Sequence, residues 1–107
     1  MHVFDLKNFV GGWFVGNFVP SIINTKNVEV AIKHYVAGHK ETSHYHAIAD
    51  EITVIVSGAA KMNGLTYHTG DVIHMQPGES TDFVALTDTT ACVVKMPSVI
   101  GDKYTKN

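Results

Sequence analysis

The chain has 107 residues, of which 45% are hydrophobic and 17% are charged, and its formal net charge is −2. This length and composition indicate one domain with its own apolar core and exclude a disordered chain. The slight acidic balance and the lack of a basic cluster argue against a nucleic-acid partner. All eight basic residues are lysine. Because arginine is the usual two-point ligand of phosphate groups, its absence weighs against a nucleotide-sugar or polyphosphate substrate.

The N-terminal region is apolar over residues 9–19. This stretch is too short to span a bilayer, and it follows Asp5 and Lys7 rather than a basic leader. We therefore expect no membrane partner and interpret residues 1–27 as a β-rich packing segment. The single cysteine, Cys92, has no internal disulfide partner, so a reducing, cytoplasmic setting is expected.

The remaining sequence predicts short strands separated by turn signals, as in a β-sandwich or β-barrel. The predicted strands cover residues 28–36, 51–57, 59–62, 65–67, 72–75, 81–86 and 91–96. Asn63-Gly64 is the favoured two-residue type I′ hairpin turn between two of them. His34 shares a strand face with apolar neighbours, which is more typical of a core histidine than of a cavity residue. The polar tail, residues 101–107, is expected to be peripheral or frayed.

The strand at residues 51–57 is expected to be buried on both sides. Ile52, Val54 and Val56 occupy one face, and Ile55 adds bulk to the other. A strand of this kind needs a covering layer on each face. In so small a chain another subunit is the natural source of the second layer, with residues 9–19 as the segment that donates it. The sequence therefore predicts a homodimer.

The segment over residues 38–58 carries the clearest chemical signal. Side chains alternate between the faces of a strand, so His44 and His46 are predicted to point to one side while Tyr45 points away. Glu51 would bring a carboxylate from the next strand. Two imidazoles and one carboxylate suit a divalent ion such as Fe, Mn, Ni or Zn. The competing interpretation is a polar cluster in a barrel mouth, but burying such a cluster without a function is costly.

The spacing of these residues resembles the first motif of the cupin superfamily. That motif is Gly, five residues, His-x-His, three or four residues, Glu, six residues, Gly. The chain matches it throughout, at Gly38, His44, His46, Glu51 and Gly58. The resemblance extends over about residues 28–97. It implies an all-β fold, the cupin-type double-stranded β-helix or jelly-roll barrel.

The second motif of that superfamily is only partly present. It reads Gly, five residues, Pro-x-Gly, two residues, His, three residues, Asn. The two glycines match Gly70 and Gly78, whereas Gln76, Thr81 and Ala85 stand where the proline, histidine and asparagine belong. The resemblance thus leaves the family's usual fourth metal ligand missing at Thr81.

Three consequences of this loss are open. In the first case the metal is held by His44, His46 and Glu51 alone, with free positions for water or substrate. Alternatively, a nearby group fills the fourth position, with Asp82, Thr81 and His74 as candidates. In the third case the metal is lost, and the paired histidines act as acid–base or hydrogen-bonding groups.

The resemblance implies a barrel that binds a divalent metal and acts on a small polar molecule. One candidate chemistry is O₂-dependent oxidation at Fe(II). The other is metal-assisted isomerase or lyase chemistry, with Tyr35 or His74 as the acid–base group. The alternatives are a non-catalytic ligand-binding or sensor barrel and a metal-free sugar isomerase. The sequence does not choose between an enzyme and a binding module.

Overall fold

The computed structural model describes residues 1–106 and consists almost entirely of β-structure. Two short 3₁₀ turns, Leu6–Asn8 and Val10–Gly12, precede the strands. The strands are β1 Trp13–Gly16, β2 Ile23–Asn24, β3 Glu29–Tyr35, β4 Lys40–Tyr45, β5 Asp50–Ser57, β6 Ala59–Met62, β7 Leu65–His68, β8 Val72–Met75, β9 Ser80–Ala85, β10 Thr89–Met96 and β11 Tyr104–Thr105. Within these residues no helix is long and apolar enough to cross a membrane.

The strands form two sheets. One has six strands in the order β2-β1-β3-β10-β5-β8, and the other has five in the order β11-β4-β9-β6-β7. Every strand pair is antiparallel except β1 with β2. The core cluster consists of Ile55, Ala60, Met62, Met75, Phe83 and Ala85, drawn from both sheets. The predicted all-β, two-layer architecture is confirmed.

The hairpin between β6 and β7 forms where the sequence predicts it. Asn63 and Gly64 have φ values of 49° and 80°. Positive φ at both central residues is what a type I′ turn requires. The predicted strand over residues 72–75 coincides with β8, and the other predicted strands agree with the structure within two residues.

The expectation that His34 belongs to the core is wrong. His34 is exposed, and its Nδ1 lies 3.0 Å from Thr90 Oγ1. The opposite face of β3 turns inward, with Ala31 fully buried and Lys33 and Tyr35 lining a cavity. Alternation decides which residues share a face but not which face turns inward. Here the apolar face is the outer one.

The C-terminal tail is peripheral, as expected, since β11 is an exposed edge strand, but it is not frayed. β11 adds to the five-stranded sheet by pairing with β4, and Tyr104 stacks on Tyr45 with ring centroids 5.3 Å apart. Asp102, just before β11, is only 7% exposed. Residues 101–106 are therefore an ordered part of the barrel, and Asn107 lies outside the described residues.

The N-terminal segment packs on its own chain, because β1 extends the six-stranded sheet beside β3. Gly12 makes this possible, since a Cβ at this position would collide with the carbonyl oxygen of Ile32. Several apolar side chains of the segment nevertheless stay exposed: Val3, Phe4, Val10 and Val19.

Candidate metal centre

His44, His46 and Glu51 converge at one point between the two sheets. His44 lies at the end of β4, His46 directly follows that strand, and Glu51 is the second residue of β5. One potential ligand atom from each residue lies within 4.8 Å of the other two. Tyr45, between the histidines, packs against Tyr104 instead. The predicted alternation along this segment is therefore what brings the two imidazoles together.

Both histidines are held in the tautomer that a metal ligand needs. His44 Nδ1 lies 3.1 Å from the carbonyl oxygen of Thr42, and His46 Nδ1 lies within hydrogen-bond distance of the carbonyl oxygen of Asp102. A carbonyl oxygen can only accept, so each Nδ1 carries a proton and donates it. Each Nε2 is then left with a lone pair for a metal ion, the usual outer support of a histidine ligand.

The contact between His46 and Glu51 further favours a cation at this site. His46 Nε2 lies 3.3 Å from Glu51 Oε1, and both residues are buried, at 5% and 7% exposure. Because Nδ1 already uses its proton on Asp102, two lone pairs would face each other unless a proton or a metal lies between them. Two imidazole nitrogens and a carboxylate are a donor set that divalent transition metals accept.

Glu51 is held in its ionised form. Burial by itself raises the pKa of this carboxyl group. When a proton rather than a metal ion lies between His46 Nε2 and Glu51, the hydrogen bond from His46 and the charges of His46, Lys95 and His44 outweigh burial and lower the pKa below its usual value. Thr53 Oγ1 also donates to Glu51 Oε2 at 3.4 Å. An ionised carboxylate is the form that binds a metal ion.

Asp102 organises the loop that carries His46, and no sequence motif announces it. Its carboxylate accepts the backbone N–H groups of Ala47, Ile48 and Ala49 at 2.9, 3.1 and 2.9 Å. Burial by itself raises the pKa of Asp102. The three hydrogen bonds and the charge of His46 have the opposite, larger combined effect, so the pKa is below its usual value. A lone aspartate in a polar tail gives no pattern from which this role could be predicted.

A cavity of about 220 Å³ adjoins the metal centre. His44, Glu51 and Tyr35 line it, together with Thr81, which is buried and pairs in register with His44 across β4 and β9. Thr81 Oγ1 donates to the carbonyl oxygen of Asp82 at 2.7 Å. The position at which the resemblance expects a fourth ligand thus faces the cavity but holds a short side chain whose proton is already used.

Two of the residues predicted from sequence, Asp82 and His74, point away from this cavity. Asp82 lies on the opposite face of β9, where its carboxylate accepts the N–H of Asn63 at 2.8 Å. His74 is exposed, and its Nε2 pairs with Asp50 at 2.8 Å. Both are turned outward by strand alternation, because their neighbours Thr81 and Met75 occupy the inward positions.

Tyr35 does line the cavity, as one of the predicted acid–base candidates. Its ring packs on Phe83 with centroids 4.6 Å apart. Burial raises the pKa of its hydroxyl well above the usual value, and the neighbouring carboxylate of Glu41 adds to the shift. Tyr35 therefore keeps its proton and acts as a hydrogen-bond donor. Glu41, which also lines the cavity, is a candidate base that the sequence analysis missed.

Comparison with sequence-family models and with curated proteins gives no match for this chain. Solved structures do match. A Klebsiella pneumoniae protein with a double-stranded β-helix domain is 19% identical, with a TM-score of 0.71 over 96% of this chain and 89% of that chain. A sugar phosphate isomerase of the cupin superfamily from Silicibacter pomeroyi is 21% identical, with a TM-score of 0.65 over 76% of this chain and 57% of that one.

Oxalate decarboxylase from Bacillus subtilis is 15% identical, with a TM-score of 0.64 over 76% of this chain and 24% of that chain. Another similar structure of the same enzyme is described for its Mn(II) centres. These proteins share an architecture with this chain at low sequence identity. The chain therefore has the double-stranded β-helix fold that these solved structures share.

Proposed function

We propose that this protein binds a divalent metal ion through His44, His46 and Glu51 and acts on a small polar molecule in the adjoining cavity. The observation that carries the proposal is the convergence of three ligand atoms within 4.8 Å. Two of them belong to imidazoles whose other nitrogen is bound to a backbone carbonyl. Three protein ligands leave coordination positions for water or substrate, which is typical of catalytic rather than structural sites.

The cavity lining favours metal-assisted proton transfer, as in isomerases and lyases, over O₂-dependent oxidation. When bound, a divalent ion supplies a Lewis acid that polarises a substrate carbonyl group. The chain itself contributes Tyr35, which keeps its proton and can donate a hydrogen bond to a substrate oxygen. Glu41 lies beside Tyr35 and offers a carboxylate to accept a proton. Such paired donors and acceptors are the elements of general acid–base catalysis.

The donor set suits Fe, Mn, Ni and Zn, and manganese is the first ion to test. The Mn(II) centres named for the structurally similar oxalate decarboxylase support this order. We expect purified protein to carry near-stoichiometric metal, measured by elemental analysis. His46→Ala should lose the metal and keep the fold, because His46 lies outside the core cluster. His34→Ala, an exposed histidine on the outer face, is the matched control and should retain the metal.

Two results would contradict the metal site. One is wild-type protein that takes up none of the four ions, even after anaerobic reloading with Fe(II). That result would favour a metal-free isomerase or a simple ligand-binding barrel. The other is a His46→Ala protein that unfolds in circular dichroism while His44→Ala stays folded with its metal bound. That result would make His46 a structural residue.

An enzyme is distinguished from a binding module by proton exchange. We expect metal-loaded protein to exchange C–H protons of small hydroxycarbonyl compounds with D₂O, followed by NMR. Glu41→Gln should slow the exchange by about a hundredfold or more, the usual contribution of a general base. Glu79→Gln, an exposed glutamate, is the control. Binding of such compounds without exchange would favour the sensor or carrier function.

We further propose that the protein is a homodimer. The outer face of the six-stranded sheet carries neighbouring apolar side chains in register, among them Cys92 between Ile32 and Val54, and Val94 between Val30 and Ile52. Exposed apolar residues of the N-terminal segment, such as Phe4 at 59%, could cover such a face on a second copy. A contiguous exposed apolar patch typically marks an interface.

A further inference from the structure

Three lysines enter the cavity of the metal centre from separate parts of the chain. Lys33 lies on β3, Lys95 on β10, and Lys103 in the C-terminal segment before β11. Lys33 and Lys95 occupy inward positions of their strands, in line with the buried residues Ala31 and Val93. Lysine is among the residues least often found in such positions. Two inward lysines at one site, with the exposed Lys103 at the edge of the same cavity, call for a specific explanation.

One aromatic wall fixes two of these ammonium groups. The Nζ atoms of Lys33 and Lys95 lie 5.2 and 4.9 Å from the centre of the Trp13 ring system. Cation–π contacts at this distance attract a cation to the ring face, and they restrict the long side chains before any ligand arrives. Holding like charges on one ring costs energy, since the ammonium groups repel each other.

The cavity lining also holds three carboxylates, Glu29, Glu41 and Glu51, but among the described residues only Lys95 forms an ion pair with one of them. Lys95 pairs with Glu29 at 4.0 Å, and Glu29 also accepts the hydroxyl proton of Ser98 at 3.0 Å. Within residues 1–106, Lys33 makes no ion pair. Burial lowers the pKa of Lys33, and the charges of Lys95 and Lys103 lower it further against the opposing effect of Glu41. A bound anion would relieve this unfavourable arrangement.

Lys95 lies directly beside the metal ligand Glu51, and Lys33 and Lys103 line the same cavity. Lys95 pairs in register with Glu51 across β10 and β5, and with Glu29 across β10 and β3. Glu51 would be neutralised by the metal, which leaves the positive charges of the lysines in excess on the cavity wall. One small molecule can therefore contact the metal ion and the lysines together.

We propose that Lys33, Lys95 and Lys103 form an anion-binding wall, so that the substrate of this metal centre is a small carboxylate. This inference builds on the proposed function, since it names the substrate class of the same cavity. The volume of about 220 Å³ equals about seven water molecules, which suits a compact acid and is too small for a nucleotide sugar. A phosphate group is expected to bind this wall less well, because the chain has no arginine, whose two-point hydrogen bonding phosphate sites commonly use.

The test is calorimetric titration of malonate into metal-loaded protein, with metal content measured for every variant. We expect malonate to bind and neutral malonamide not to bind. Lys33→Met and Lys103→Met should each weaken malonate binding by about tenfold or more, the usual effect of removing a charge-assisted hydrogen bond. Lys61→Met is the matched control, because Lys61 is exposed on β6 and points away from the cavity. Lys103 is itself exposed, so its variant folds even if Lys33→Met does not.

The outcomes separate this inference from the proposed function. Metal retained at full stoichiometry with no malonate binding, or with equal binding in wild type and both variants, overturns the anion wall alone. Lysine-dependent malonate binding by protein that takes up no metal supports the wall and contradicts the metal function. Tight binding of inorganic phosphate with none of malonate overturns the assignment to carboxylates.

Discussion

Asp102 connects the C-terminal segment to the metal centre through both its backbone and its side chain. Its carbonyl oxygen accepts the Nδ1 proton of His46, and its carboxylate accepts the N–H groups of residues 47–49. The loop that follows His46 is thereby tied to the same residue that orients the imidazole. Outer residues of this kind typically change metal affinity by ten- to a hundredfold when replaced.

Asp102→Asn should destabilise the protein by about 1–3 kcal/mol, because one amide oxygen replaces a charged acceptor of three backbone N–H groups. It should also weaken metal binding about tenfold, since the loop that orients His46 loosens. The free energy of unfolding in urea and a metal titration check the two effects. Asp5→Asn, on an exposed 3₁₀ turn, is the control. Equal stability of the two variants would show that the Asp102 carboxylate does not hold the loop.

The difference in folding stability between wild type and Asp102→Asn should depend on pH, and the pKa shift of Asp102 gives its sign. The pKa of Asp102 is lower in the folded protein than in the unfolded chain. Its contribution is therefore complete above the unfolded value, about pH 4, and is lost as the pH falls through the folded value. We expect the stability difference between wild type and Asp102→Asn to be constant from pH 5 to 7 and to shrink below about pH 4. A constant difference down to pH 2 would contradict this assignment.

Thr81 decides whether the metal centre has a fourth protein ligand. Thr81→His should tighten metal binding, because the position faces the cavity and pairs in register with His44. We expect a gain of at least about tenfold in a competition titration with a chelator. Asp82→Asn, which points away from the cavity, is the control. An unchanged affinity of Thr81→His would mean that another group already fills the fourth position.

Among the elements, the N-terminal turn and the β6–β7 hairpin each contain a glycine with the same φ. Replacing these two glycines should destabilise the protein by different amounts. Gly12 and Gly64 both have φ of 80°. A side chain at Gly64 meets open space, whereas one at Gly12 meets the carbonyl oxygen of Ile32 on β3. The hairpin turn is thus a local requirement, and the N-terminal turn depends on contact with a distant strand.

Gly64→Ala should therefore cost only the backbone strain of a left-handed residue, about 1–2 kcal/mol. Gly12→Ala should cost about 1–3 kcal/mol more, since the N-terminal turn must also move away from β3. Urea unfolding of the two variants checks the difference, with wild type as reference. Equal losses of stability would show that the N-terminal turn contributes little to the packing of β3.

Alternation along single elements explains which parts of the fold were predictable. The period of two in residues 51–57 and the Asn63-Gly64 turn are local signals, and β5, β6 and β7 follow them. β1, β2 and β11 lack such a pattern and exist because a neighbouring strand offers free hydrogen-bonding groups. His34 and Lys33 show the limit, because the face that turns inward depends on the opposite sheet.

For the molecule as a whole, the proposed dimer predicts that the outer face of the six-stranded sheet is the interface between two copies. Wild-type protein should elute with twice the monomer mass in size-exclusion chromatography with light scattering. Val54→Lys should shift it toward the monomer, because Val54 lies in the middle of the apolar face, between Cys92 and Val72. Thr66→Lys, on an exposed position of β7, is the control. A monomeric wild type, or a dimer unchanged by Val54→Lys, would contradict this interface.

The sequence by itself determined the all-β architecture, the hairpin, and the set of His44, His46 and Glu51, because these depend on short-range periods and spacing. Only the tertiary structure decided the surroundings of that set. It brought Asp102 behind His46, turned Asp82 and His74 outward, and gathered three lysines at one cavity. These contacts join residues up to about eighty positions apart, as in the pair of Trp13 and Lys95. No local pattern encodes them, since they follow from how two sheets face each other.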